Sequence, residues 1–252
     1  DIVEQLYLVK LSVYAPISYI LPSRLKKYED LYDTLVEGGR GKLRQADREK
    51  SLQALMTINL LKRMESSVEA FRITLEKLIQ NIEKTLLSIK NFEETGSSIS
   101  FEDYSDDFDT MSDEDEDIEG MNEFKIGGKI QIDLKDMDLK SWKNDLEGDQ
   151  IILNSIFKSM KNIEPEDDVK LQHLMNTVTD KINNGFNEGN KKILIFSAFA
   201  DTANYLYSHI SDYVINRHKL HCAKVTGSST PKSSLNKTYD FQSILTLFAP
   251  IA

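Results

Sequence analysis

The sequence predicts a mainly α-helical chain with a partial α/β unit, in which long antiparallel helices are followed by an incomplete parallel sheet. Three observations lead there. Residues 45–92 contain no Gly or Pro, and Leu61, Met64, Val68, Phe71, Leu75, Leu78, Ile82, Ile89 and Phe92 recur in steps of three and four, broken only at Thr85. Later, Lys191 and Lys192 precede an apolar run from Ile193 to Phe196, closed by Ser197, which leads into a helical pattern through Ala203, Leu206, Ile210 and Val214. An apolar run feeding directly into an amphipathic helix marks a buried parallel strand and its crossover. Only one further strand follows, at residues 219–226. A two-stranded parallel sheet is not stable alone, so the sheet reads as incomplete and the chain as a fragment.

The elements follow in order. Residues 1–21 carry Ile2, Val3, Leu6, Leu8, Val9, Leu11, Val13 and Tyr14, a pattern for a helix or strand packed on something. Pro22 and Ser23 open a helix through Leu25, Tyr28, Leu31, Tyr32 and Leu35, closed by Gly38 and Gly39. A basic connector (40–50) leads into the long heptad helix, read as one arm of an antiparallel pair, with intermolecular coiled-coil pairing as the alternative. Residues 93–123 form an acidic loop, and Lys129 to Leu134 alternate like a short strand. The return arm is residues 138–162, with Leu139, Trp142, Leu146, Leu153, Ile156 and Met160 apolar and Gly148 weakening its middle. A helix follows at 169–182, ended by Asn183, Asn184 and Gly185. Asp201 or Thr202 is expected to cap the helix after the apolar run, and Pro231 to start a last helix over 232–246.

Composition bounds the function. At 252 residues the chain holds one large or two ordinary domains. No apolar stretch reaches membrane-spanning length, and Asp1-Ile2-Val3-Glu4 is not a signal peptide. The single cysteine, Cys222, fits a reducing, cytoplasmic setting. The net charge of −10 is uneven. Residues 91–124 hold 14 acids and no base, so the remaining 27 acids face 31 bases, about +4. A nucleic-acid partner is therefore compatible with the overall charge. The histidines His173, His209, His218 and His221 have no metal-like spacing with Cys222, and His218 and His221 read as surface residues.

Four segments carry a resemblance. Residues 193–206, ILIFSAFADTANYL, resemble the first strand and helix of the second RecA-like lobe of superfamily-two helicases, the family's motif IV. Val225-Thr226-Gly227-Ser228-Ser229 is similar to a later strand-to-helix turn, and Phe248-Ala249-Pro250 to the triplet before the next strand. Asp168, Lys170, Leu171 and Leu174 resemble the helix leading into that lobe. Residues 60–71, LLKRMESSVEAF, are similar to a signature of bacterial members of the chromatin-remodeller-like branch, which carry a helical insertion between the lobes. The resemblance implies the end of a preceding lobe at 1–22, a helical insertion at 23–165, and the truncated start of the second RecA-like lobe at 166–252. It implies a parent protein that uses ATP and Mg²⁺ to move on or remodel nucleic acid, with double-stranded DNA as partner and a first RecA-like lobe in the same polypeptide. The sequence contains no Gly-x-x-x-x-Gly-Lys-Ser/Thr loop. Asp113-Glu114-Asp115-Glu116 lacks the apolar strand a Mg²⁺ ligand needs. No catalytic residue is therefore assigned, and the ATP site is expected outside this fragment. A helical scaffold or adaptor without motor activity is the alternative.

In lobes of that kind strand-end turns meet the sugar-phosphate backbone, and helix N-termini favour phosphate. The nucleic-acid candidates are Ser197, Phe199, Thr226, Gly227 and Ser228. The plainer reading is that Ser197 and Thr226 end strands. Arg40, Lys42, Arg44, Arg48, Lys50, Lys62 and Arg63 place seven bases in 24 residues, a patch able to contact a groove, or else a solvated helix face.

Overall fold

The run at 45–92 is helical, but it forms two helices. We describe residues 1–35, 42–96, 100–102, 131–185, 189–227 and 229–249 of a computed structural model. They fall into two units, the first drawn from 1–62, 73–102 and 131–159, the second from 63–72 and 160–249.

In the first unit, Asp1 caps α1 (Ile2–Leu8) by accepting from the Val3 amide at 3.0 Å. The expected single element over 1–21 ends there. Leu11 takes a left-handed φ of 53° and two short 3₁₀ turns follow, Ser12–Tyr14 and Pro16–Tyr19. Asp149 makes this turn viable by accepting from the Lys10 amide, the Ser12 amide and the Ser12 hydroxyl at 2.7, 2.8 and 2.7 Å. Helix α2 (Pro22–Tyr32) starts on its proline and is shorter than expected. Thr34–Leu35 (β1) pairs antiparallel with Lys42–Leu43 (β2). The expected Gly38-Gly39 stop lies outside the described residues. The Asp33 carboxylate then accepts from the Gln45 amide, at 2.9 Å, where α3 (Gln45–Ser66) begins.

The break comes at Ser67, whose hydroxyl accepts from the Ala70 amide at 3.1 Å and caps α4 (Val68–Thr95). A Ser side chain competing for backbone donors interrupts a helix without Gly or Pro. The buried line is also shifted at this point. Leu61, Met64 and Val68 are only half-buried, whereas Met56, Leu60, Arg63, Ser67, Ala70 and Thr74 are buried. Beyond it, Phe71, Leu75, Leu78, Ile82 and Ile89 are buried as expected, and Thr85 joins them by donating to the Asn81 carbonyl at 2.9 Å.

The acidic segment lies mostly outside the described residues. Ser100–Glu102 (β3) pairs antiparallel with Gln131–Asp133 (β4), which bears out the short strand expected near 129–134. Helix α5 (Leu139–Lys161) is the return arm, and it runs through Gly148 unbroken. In this unit Gln150 bonds Glu83 and Lys143 bonds Glu93, both at 3.3 Å. One number rises as the other falls, so α4 and α5 are antiparallel. Trp142, Leu146, Leu153 and Ile156 are fully buried, and the Trp142 indole N–H donates to the Ser12 carbonyl at 3.0 Å.

The second unit contains α6 (Val169–Asn183), α7 (Ala200–His218), Ala223–Lys224 (β5), Lys232–Ser233 (β6) and α8 (Phe241–Phe248). Its core joins Leu171, Val178 and Ile182 of α6 to Tyr205, Ile210 and Val214 of α7. The parallel sheet is not found among the described residues. Residues 191–197 have no strand pairing, and Leu194, Ile195 and Phe196 are 64, 42 and 87% exposed. Only Ile193 packs against the core. A strand needs neighbours to accept its backbone hydrogen bonds, and this run has none here. The strand expected at 219–226 shrinks to β5, which pairs antiparallel with β6. That pairing takes residues 232–233 from the expected final helix, and Ser234 reinforces it by donating its amide to the Cys222 carbonyl at 2.9 Å. Helix α8 starts later, where the Asp240 carboxylate accepts from the Ser243 amide at 2.7 Å.

Candidate functional site

In the second unit a buried polar junction gathers residues from three distant stretches. Helix α7 starts at Phe199, which has no side-chain cap of its own. Asp201 and Thr202 were expected to cap it, but they sit inside its first turn with their side chains directed elsewhere. The Asp201 carboxylate accepts from the Arg63 guanidinium at 2.8 Å. The Thr202 hydroxyl bonds those of Ser66 and Ser67 at 2.7 and 2.9 Å. The Arg63 guanidinium also lies 4.7 Å from the Phe199 ring centroid, a cation–π contact.

The N-terminus of α6 enters the same junction. Asp168 accepts from the Lys170 and Leu171 amides, each at 3.0 Å, and from the Tyr205 hydroxyl at 3.0 Å. Burial and that carboxylate push the Tyr205 phenol up. The Lys170 ammonium donates to the Glu65 carbonyl, at the end of α3. Arg72 adds bonds to the Lys161 and Ile163 carbonyls at 3.4 Å. The acids are paired or capped and the hydroxyls bonded to one another, so this chemistry holds a shape.

The sequence-derived candidates divide around this junction. Ser197 is exposed, and its hydroxyl accepts from the Phe199 amide at 3.2 Å. Phe199 is 5% exposed, so its ring is core beneath Arg63 and presents no free face. The Thr226 hydroxyl bonds that of Ser229 at 2.5 Å. Thr226 and exposed Gly227 line a shallow groove with Val225, Ser229, Pro231 and Phe241. Ser228 lies outside the described residues. No hydrogen bond joins Ser197 or Phe199 to Thr226 or Gly227 among those described.

The basic patch disperses. Arg40 and the Lys42 side chain lie outside what is described. Arg44 and Lys62 are exposed, and Arg48 bonds Gln45 at 3.3 Å. Along α3, 14 residues separate Arg48 from Lys62, roughly 21 Å. Arg63 is 2% exposed and ion-paired, so it cannot also meet a phosphate. Its role has a signature in the sequence, because Leu60, Arg63, Ser67 and Ala70 follow inward helical spacing with two polar members. Cys222 is half-buried and its thiol is pushed up by burial. His221 is exposed, while His218 is half-buried, with its ring 5.9 Å from that of Tyr213. No group able to hold a metal ion, and no helix long and apolar enough to cross a membrane, occurs among the described residues.

Comparison with known proteins gives no family. No family model, curated protein or solved structure matches this chain.

Proposed function

We propose that this chain is part of an ATP-dependent nucleic-acid helicase or translocase, contributing a helical insertion and part of a C-terminal motor lobe. The supporting observation is convergence. The stretches around Arg63 to Ala70, Asp168 to Leu174 and Phe199 to Tyr205 are far apart in sequence, each resembles a segment of that motor family, and their polar side chains bond one another. In this reading the exposed run Ile193 to Phe196 is the first strand of a RecA-like sheet whose neighbouring strands come from other parts of the parent protein. ATP and Mg²⁺ belong to those parts as well. Ser197, Thr226 and Gly227 are left as the backbone-contacting candidates, with duplex DNA the expected partner.

Fluorescence anisotropy with a labelled DNA duplex tests this. Non-specific binding on the order of 10⁻⁵ M near physiological salt is expected, tightening as salt falls. No binding at low salt would sink the proposal. The scaffold alternative is disfavoured because α4 and α5 pair within the chain, which occupies the seam an intermolecular coiled coil would use.

A further inference from the structure

Arg63 is the largest polar side chain buried in the second unit, and it is tied to the one stretch that leads from the junction to an exposed candidate. Its guanidinium pairs with Asp201 at 2.8 Å and lies 4.7 Å from the Phe199 ring centroid. Phe199 in turn fixes Ser197, through an amide-to-hydroxyl bond of 3.2 Å. Ser66 and Ser67 hold Thr202, so the first turn of α7 is gripped on both sides of Asp201. Asp201 is 19% exposed and Arg63 2% exposed, so the cation itself is withdrawn from any ligand.

We propose that Arg63 is a positioning residue for nucleic-acid contact, acting through Asp201 and Phe199 to hold the Ser197–Phe199 turn in the shape that presents Ser197 to a phosphate backbone. The inference rests on the nucleic-acid reading above. The geometry calls for arginine. A planar guanidinium can donate to a carboxylate and lie against a ring at the same time, whereas an ammonium is a point charge. Position 63 therefore sets the turn by shape as well as by charge.

The test is a double-mutant cycle on duplex-DNA binding by the full chain, with folding of each variant checked by circular dichroism. Arg63→Lys is expected to weaken binding about tenfold and Ser197→Ala about threefold, the scale of coupled neighbouring sites. If Arg63 acts through the turn, the double variant binds no more weakly than Arg63→Lys alone. Combining Arg63→Lys with Asp201→Glu, whose longer arm reaches the ammonium, restores part of the loss. Fully additive losses, or unchanged binding in Arg63→Lys, overturn the positioning role. Should Arg63→Lys fail to fold, Asp201→Asn breaks the same pair from its more exposed side and enters the same cycle. If the unaltered chain binds no duplex, the nucleic-acid reading fails and takes this inference with it. If it binds and only Ser197→Ala weakens it, the reading stands and the role of Arg63 falls.

Discussion

Asp136 shows how a single carboxylate organises the first unit. Its side chain is 3% exposed and accepts from Lys27 and the Tyr28 hydroxyl at 2.8 and 2.9 Å, with Arg24 at 3.4 Å. Burial alone pushes the carboxyl up, but the bonds from Lys27 and Tyr28 and the charges of Lys27 and Arg24 more than reverse that, holding it below the usual range. A lowered folded pKa means that the unfolded chain binds the proton more readily. The stabilisation is then complete above the unfolded value of about 3.9 and lost as pH falls through the folded one. Asp136→Asn should cost about 2 kcal/mol at neutral pH, and the gap from the unaltered protein should close below about pH 4. Thermal melts across pH check this, and a gap that persists in acid would contradict it. Contacts of this kind were not legible in the sequence. Lys27 and Asp136 are 109 residues apart, and nothing local in either stretch announces the other. The same holds for Asp201 and Arg63, where local rules suggested a cap and a surface base.

Among the elements, long periodic segments were readable and their limits were not. Helices α4, α5, α6 and α7 lie where the three-and-four spacing placed them, because each buries one stripe over many turns. The Ser67 break escaped that logic. One hydroxyl competing for an amide outweighs a favourable helical register, and the Thr202 partner that rewards the break is 135 residues away. Ser67→Ala removes the cap and that partner's bond, and should cost about 1–2 kcal/mol. In a chain of 252 residues this lowers Tm by roughly 2–8 °C, read by calorimetry. An unchanged Tm would mean that the break is set elsewhere. The strand expected at 193–197 failed for the converse reason. Its apolar composition is right, but a strand is defined by its neighbours, and composition does not supply them.

For the whole molecule, the second unit displays more apolar surface than its core accounts for. Leu194 and Phe196 are exposed, as are Phe241, Leu245 and Leu247 of α8, which has no buried residue. Patches of this sort promote association. Replacing Leu194 and Phe196 with Lys should reduce concentration-dependent light scattering while leaving Tm within about 2 °C, because little burial is lost. A large fall in Tm would show that the run is packed. The mainly helical class and the antiparallel helical pair were legible from periodicity alone, and the sheet was not. One feature of the first unit has an optical consequence. Trp142 is the chain's single tryptophan, fully buried, with its indole held by the Ser12 carbonyl. Its emission is a private channel for that unit, shifting to the red as the indole leaves that carbonyl for water, while the second unit contributes no tryptophan signal.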